Sequence, residues 1–178
     1  MKCLKCDNTA EIQFPNGDLC PSCFLEILTN RIKKDVRQNI PFKKGEKVLV
    51  FGKITNSFLK RIVGALPLDI TTSNKRFGED VNDFSSYDKV VIPWTADDEA
   101  LLFYTEITKK NPRLNKNKLI VELFRTVLDD ELIKAAKILK IKIKLKSKRK
   151  ELEKIHKKFP NSIFGLRKSA EEFMKAVK

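Results

Sequence analysis

The chain has 178 residues, of which 42% are hydrophobic and 34% charged, a balance that indicates a globular protein and excludes a disordered one. It contains no run of about 18 apolar residues and no apolar signal-peptide core after Met1, so we expect a cytoplasmic protein without a membrane span. Lysine and arginine outnumber the acids by 37 to 23, and the resulting formal charge of +14 predicts a polyanionic partner.

All four cysteines lie in the first 23 residues, as two Cys-x-x-Cys pairs. Cys3 and Cys6 form the first pair, Cys20 and Cys23 form the second, and thirteen residues separate them. This spacing is typical of a zinc ribbon, in which four thiolates surround one structural Zn²⁺. Two disulfides and an iron–sulfur cluster are the alternatives, which a cytosolic setting and the spacing disfavour. Asn16-Gly17 predicts the turn of the ribbon hairpin.

A helix is predicted from Pro21, because apolar residues recur at helical spacing until Pro41 ends the pattern. Its apolar positions are Phe24, Ile27, Leu28, Ile32 and Val36. Its other face carries basic residues that we expect to contact nucleic-acid phosphates, namely Arg31, Lys33, Lys34 and Arg37. We therefore divide the chain into a zinc ribbon with its linking helix, residues 1–40, and an α/β domain, residues 41–178.

The α/β domain opens with a buried strand from Glu46 to Phe51, a turn from Gly52 to Ser57 and an amphipathic helix from Phe58. In parallel α/β folds such a turn is where ligands bind. The turn nevertheless has a single glycine, and it matches neither of the two common phosphate-binding glycine patterns.

Further strands are predicted at Leu68 to Thr72 and Asp88 to Pro93, and residues 118–124 form an extended or linking segment. Thr95 is the expected N-cap of a helix that ends near Lys109 and packs through Leu101, Leu102, Tyr104 and Thr105. The three acids that follow the cap suit either Mg²⁺ coordination or the helix dipole: Asp97, Asp98 and Glu99. A further helix starts at Asp129, with Leu132, Ala135, Ala136 and Leu139 on its apolar side.

The segment from Lys134 to Lys158 holds twelve basic residues and only two acids, Glu151 and Glu153. Within it, Lys140 to Lys146 alternates lysine with apolar residues, the period of a half-buried strand. The lysines either prevent aggregation through an exposed edge strand or bind phosphates. The candidates for phosphate contact are Lys142, Lys144, Lys146, Lys148 and Arg149. Helices are predicted at 148–159 and 162–177. The single histidine, His156, has no acid–base partner in the pattern and is not predicted to be catalytic.

Two segments resemble the tRNA-thiolating N-type ATP pyrophosphatases. Val90 to Ala100 looks like that family's strand followed by Gly-His-x-x-Asp-Asp-x-Ala, and Val48 to Ser57 falls where the family has a strand ending in Ser-Gly-Gly-x-Asp-Ser. The departures are that Gly52-Lys53-Ile54 replaces Ser-Gly-Gly, Asn56 replaces Asp, and the inner catalytic cysteines are missing. This pattern is similar to the non-catalytic cytoplasmic tRNA 2-thiolation protein 2 family, in a short archaeal-like form.

The resemblance implies an adenine-nucleotide-hydrolase-like (PP-loop, Rossmann-like) parallel-sheet α/β domain behind the zinc ribbon. It also implies a non-catalytic subunit that binds tRNA and a catalytic paralogue, and through that paralogue a ubiquitin-like sulfur carrier; a homodimer is compatible with it. ATP is not expected to bind, and the vestigial nucleotide residues would be Gly52, Lys53, Thr55, Asn56, Ser57, Asp97 and Asp98. Two alternatives stay open: an active ATP-dependent tRNA-thiolating enzyme that holds ATP and Mg²⁺ with Lys53, Thr55, Ser57 and Asp97, and a general zinc-ribbon adaptor.

Overall fold

A computed structural model of the protein describes residues 1–75, 77, 84–107, 119–143, 157–158 and 162–176. The elements, in chain order, are α1 (Pro21–Asn39), β1 (Lys47–Phe51), α2 (Lys53–Val63), β2 (Asp69–Ser73), β3 (Lys89–Thr95), α3 (Ala96–Ile107), β4 (Ile120–Phe124), α4 (Asp129–Ile138) and α5 (Ser162–Ala176). No helix in these described stretches has the length and apolar character needed to cross a lipid bilayer.

The four strands form one parallel sheet in the order β2-β1-β3-β4. The central strands β1 and β3 are buried along most of their length, as expected for a parallel sheet with both faces covered. This confirms the predicted α/β class. The strand order reverses between β1 and β3, so the carboxyl ends of these two strands border the crevice in which such folds bind ligands.

Alternate side chains of β1 enter two different cores. Val48 and Val50 pack into a large cluster with residues of α1, α2 and α4, whereas Leu49 and Phe51 pack on the other face of the sheet. The connections β1–α2–β2 and β3–α3–β4 step in opposite directions along the sheet, so right-handed crossovers place α2 and α3 on opposite faces. We call α1, α2 and α4 the three-helix layer. On the opposite side, α3 and α5 pack against each other.

The ribbon and α1 share the large core with the sheet. Leu19, Phe24 and Leu28 are completely buried in the same cluster as Phe58 and Leu132. The predicted apolar face of α1 is confirmed, except that Ile27 is only half-buried and Leu25 is buried as well. The division at residue 40 stays a prediction, because the hydrophobic core continues across it.

Two bidentate ion pairs attach α1 to the end of β4 and the start of α4. Arg31 donates to both carboxylate oxygens of Glu131, at 2.8 and 3.0 Å, and to the carbonyl oxygen of Thr126. Arg125 donates to both carboxylate oxygens of Asp35, at 2.8 and 2.9 Å. Each bidentate contact fixes the relative orientation of the two segments, because both planar groups must align.

The linker between α1 and β1 is held by a buried lysine at the start of β3. Lys89 Nζ donates to the carbonyl oxygen of Pro41 and to the carboxylate of Glu46, and it lies 4.7 Å from the centroid of the Phe42 ring. Lys89 is only 9% exposed, so its charge needs these partners. The linker is therefore fastened to the amino edge of the sheet.

Three local expectations from the sequence are corrected. Helix α2 begins directly after Gly52, so residues 53–57 form its first turns and no loop separates strand from helix. The buried apolar residues of α3 are Ala96, Ala100 and Phe103, and the four side chains predicted to pack are only half-buried. Strand β3 does not end at Pro93 as predicted but continues to Thr95. Pro93 has no backbone N–H to donate to the neighbouring strand, and the pairing with β4 shifts register between Ile92 and Thr95.

The predicted lysine-rich strand is not formed where the structure describes it. Lys140 has φ 53°, and the Ile141 N–H donates to the carbonyl oxygen of Ala136, the closing bond of a helix C-terminal motif after α4. Residues 141–143 alternate half-buried, exposed and half-buried, but they pair with no described strand. Residues 144–146 and most of the predicted helix 148–159, including His156, lie outside the described residues. The last helix is confirmed as α5.

Candidate functional site

The four cysteines come from two short turns that face each other. Cys3 and Cys6 belong to a turn closed by the Cys3 N–H bond to the Asn8 carbonyl oxygen, at 2.9 Å. Cys20 is the N-cap of α1, and Cys23 lies one turn further along, so both side chains lie on one side of the helix start. The hairpin between the pairs turns at Gly17, whose φ of 128° suits a residue without a Cβ.

These turns bring all four sulfur atoms within 4.8 Å of one another. The sulfur of Cys6 is 3.6 Å from that of Cys20 and 3.5 Å from that of Cys23. Four sulfurs placed tetrahedrally at zinc–sulfur bond length would be about 3.8 Å apart. The cluster therefore has the size of the coordination shell of one metal ion, and its four protein ligands would leave no open position for catalysis.

The immediate surroundings differ between the thiols of the second pair. The Ser22 hydroxyl, 3.2 Å from the sulfur, and then the Cys23 backbone N–H lower the pKa of Cys20 to about 6. The neighbouring thiols of Cys6 and Cys20 raise the pKa of Cys23 to about 12. Four adjacent thiols resist simultaneous ionisation, and a bound cation removes this conflict because it stabilises every thiolate.

The predicted nucleotide residues of the first motif lie at the junction of β1 and α2. Gly52 has φ 88° and Lys53 is exposed, but Ile54 is buried in the large core instead of facing the crevice. Thr55 is completely buried, and its hydroxyl has no hydrogen-bond partner in the described part of the chain. A Cβ placed on Gly52 would lie 3.7 Å from that hydroxyl, so the hydroxyl lies close to the start of the helix.

Two acids of the second motif, Asp97 and Asp98, take part in hydrogen bonds at the starts of α3 and α4. The Asp98 carboxylate accepts the Thr95 N–H at 3.1 Å, and the Thr95 hydroxyl accepts the Asp98 N–H at 3.2 Å, which confirms Thr95 as the N-cap. Asp97 accepts the Asp129 N–H at 2.8 Å, and Asp129 accepts the Thr95 hydroxyl at 2.7 Å. These bonds join the two helix starts across the carboxyl edge of the sheet.

The basic residues predicted to contact phosphates have different environments. Arg31 is engaged with Glu131 and points toward the start of α4. Lys34, Arg37 and Lys142 are exposed, and Lys33 is half-buried. The remaining candidates, Lys144, Lys146, Lys148 and Arg149, lie outside the described residues.

Sequence reasoning did not find several of the polar contacts in the structure. The partners of Arg31 and Asp35 are 100 and 90 residues away in the chain, and no local pattern reports them. The bond from Trp94 Nε1 to the Glu99 carboxylate, 3.0 Å long, spans only five residues. Acids just after a tryptophan at a helix start are the signal that could have revealed it.

The fold and the cysteine cluster together define a class: a Rossmann-like α/β domain with a four-stranded parallel sheet, preceded by a cysteine-lined element able to hold one metal ion. Among solved structures, the chain is similar to the U34-tRNA thiolase NcsA from Methanococcus maripaludis, which carries a 4Fe-4S cluster. The TM-score is 0.67 and the identity 14%, over 100% of this chain and 88% of the thiolase chain. No protein-family model and no curated protein matches the sequence.

Proposed function

We propose that this chain is a non-catalytic, zinc-bearing subunit that supports 2-thiolation of the wobble uridine of tRNA in the cytoplasm. It would bind tRNA and a catalytic paralogue, which receives sulfur from a ubiquitin-like carrier. The observation that carries the proposal is the likeness in fold, over the whole chain, to a U34-tRNA thiolase. The resemblance of Val90 to Ala100 to the thiolating pyrophosphatases supports the same assignment.

The non-catalytic role is supported first by the placement of the thiols. Sulfur transfer through the protein requires a reactive thiol, and all four cysteines of the chain belong to the metal-sized cluster at its N-terminus. A paralogue with its own cysteines would supply that chemistry. This chain would contribute binding surface.

The carboxylates at the ligand crevice support the same role. Asp97 accepts the first N–H of α4, and Asp98 accepts the N–H of Thr95, the N-cap of α3, so coordination of Mg²⁺ by these groups would compete with bonds that hold the fold. In addition, Lys53 and Ile54 stand where the related pyrophosphatases have glycines. Glycines there would let backbone N–H groups approach a pyrophosphate.

Zinc is the metal we propose, with the four cysteines as its ligands and with a structural role. An iron–sulfur cubane binds each thiolate through a different iron atom, so its ligands must lie further apart than around a single ion. Sulfurs 3.5 and 3.6 Å apart suit one tetrahedral ion. Bound there, the ion supplies folding free energy and no reactive position.

Binding to tRNA should depend steeply on salt, because phosphate contacts release counterions. The phosphate contacts we propose are Lys33, Lys34, Arg37, Lys142, Lys144, Lys146, Lys148 and Arg149; Arg31 is left out because Glu131 already binds it. We expect the affinity for a tRNA transcript to fall at least tenfold between about 50 and 200 mM salt, measured by fluorescence anisotropy. Charge reversal of Lys142, Lys144, Lys146 and Lys148 should weaken binding at least tenfold, and an unchanged affinity would refute this surface.

An active ATP-dependent enzyme is the second candidate, and the unpartnered Thr55 hydroxyl favours it. A buried hydroxyl without a partner is costly, and one beside a helix start is well placed to meet an anion.

Isothermal titration with ATP and Mg²⁺ separates the two candidates. We expect no saturable binding at millimolar ATP, and Thr55→Val should leave stability unchanged or raise it, since it removes an unsatisfied hydroxyl. Thr72→Val, at an exposed position of β2, is the control. Saturable ATP binding that Thr55→Val abolishes, together with pyrophosphate release in the presence of tRNA, would establish the enzyme. Failure to co-purify with tRNA or a thiolase paralogue would favour the adaptor instead.

A further inference from the structure

The three-helix layer forms one continuous surface over the sheet. Helix α1 contacts both α2 and α4 and lies between them. Neighbouring packed helices lie about 8–10 Å apart, so the layer is about 16–20 Å wide between the outer helix axes. This width is enough for a chain of several phosphates to cross it.

The exposed charges of the layer are mostly positive. Its exposed cations, including two that directly follow α4, are Lys34, Arg37, Lys53, Lys60, Arg61, Lys137, Lys140 and Lys142. The exposed acids of its helices are Glu26 and Asp130, whereas Asp35 and Glu131 are bound by arginines. On the opposite layer, the exposed charged side chains described on α5 are balanced, Lys168 against Glu172.

Helix dipoles explain only part of this pattern. A cation in the last turn of a helix is favourable, which accounts for Arg37, Lys60, Arg61 and Lys137 taken singly. Helices α2 and α4, however, both start at the carboxyl edge of the sheet and run back toward its amino edge, so their basic ends lie along the same edge. Lys43 and Lys44 are exposed and lie near the same edge. Their position follows from the next residue, Gly45, whose N–H donates to the carbonyl oxygen of Pro67, shortly after α2. Like charges collected in this way repel one another until a polyanion binds.

The apolar residues of the layer argue for a phosphate backbone over a membrane. A helix that inserts into a lipid surface needs large exposed apolar side chains beside its cations. Among the described residues, the exposed large hydrophobic side chains are Met1, Leu4, Phe77 and Leu119, and none belongs to α1, α2 or α4. The apolar faces of these helices are already used in the core.

We propose that the sugar–phosphate backbone of RNA crosses the three-helix layer from α1 onto the last turn of α2, where Lys60 and Arg61 bind its phosphates. This inference rests on the proposed function, in that the polyanion is the tRNA. Phosphate contacts fix position and register but read no sequence. The layer therefore orients the RNA, and the choice of tRNA is left to other contacts.

Two matched charge reversals on opposite layers test this path. Lys60→Glu on α2 and Lys168→Glu on α5 make the same change at exposed helix positions. We expect Lys60→Glu to weaken binding of a tRNA transcript about fivefold at 0.1 M salt and to reduce the slope of log affinity against log salt by about 0.9. The double variant Lys60→Glu/Arg61→Glu should reduce that slope by about 1.8, and Lys168→Glu should change affinity less than about twofold. Circular dichroism checks that each variant is folded.

The outcomes separate the path from the function. Equal weakening by Lys60→Glu and Lys168→Glu would mean a general charge effect and would overturn the path, while the tRNA-binding function would stand. Wild-type protein that binds no tRNA at low salt would overturn both. If Lys60→Glu leaves tRNA binding unchanged but abolishes binding to phosphatidylserine vesicles, the layer is a membrane surface and the path is overturned. Selective loss of tRNA binding in the α2 variants supports the path.

Discussion

Cys20→Ser should remove the metal from the protein and lower the melting temperature of the whole fold. A structural zinc site supplies roughly 10–16 kcal/mol of apparent folding free energy in small domains, and the loss of one thiolate of four forfeits several kcal/mol of it. The effect should spread beyond the ribbon, because Leu19 and Phe24 on either side of the second cysteine pair are completely buried in the core shared with the sheet. Metal analysis and thermal melts measure both effects.

Ser22→Ala is the matched control for this change. It removes the hydroxyl that lies 3.2 Å from the Cys20 sulfur but leaves all four thiols in place, so the protein should keep one zinc ion per chain. Zinc should be released on acidification, because protons compete with the metal for thiolates. Iron instead of zinc in freshly reduced protein, or a Cys20→Ser variant that melts like the wild type, would show that the cluster is not a structural zinc site.

Arg31→Ala should be the most destabilising change among the basic residues of α1. It breaks a bidentate ion pair in which Arg31 is 27% and Glu131 12% exposed. The Glu131 carboxylate keeps the Leu128 N–H as a donor but loses both guanidinium bonds, and the Thr126 carbonyl loses its bond from Arg31. We expect a loss of about 2–3 kcal/mol in the free energy of unfolding, or roughly 5–10 °C in melting temperature. Denaturant unfolding curves measure the loss directly.

Arg37→Ala, six residues further along the same helix, provides the comparison. Arg37 is exposed, so its removal should change stability by less than about 0.5 kcal/mol while weakening tRNA binding. Arg31→Lys should recover only part of the loss, since lysine keeps the charge but cannot form the planar bidentate contact. The structural role of Arg31 would be disproved if the Arg31→Ala and Arg37→Ala variants had the same free energy of unfolding and the same loss of affinity for tRNA.

Local patterns in the sequence were sufficient for several elements of this protein. The spacing of the cysteines predicted their clustering, since each pair needs only one turn to bring its thiols together. Helix α1, strand β1 and helix α4 followed from their apolar periodicity, because burial against a core selects one face of a helix and nearly every residue of a parallel strand. Thr95 as a helix cap followed from its own side-chain chemistry.

Other features depended on residues far apart in the chain, and only the tertiary structure decided them. Arg31 had the pattern of a surface cation, but packing of α1 against α4 gave it Glu131 as a partner. The sequence left Mg²⁺ coordination open for Asp97 and Asp98 beside the favoured helix-dipole role, and the structure gives Asp97 the Asp129 N–H of α4 as a donor. Helices α2 and α4 each follow a strand of the same parallel sheet and run back toward its amino edge, which brings Lys60 and Lys137 to the same edge of the sheet. Side-chain chemistry and periodicity are local properties, whereas partners and surfaces arise only when distant segments pack together.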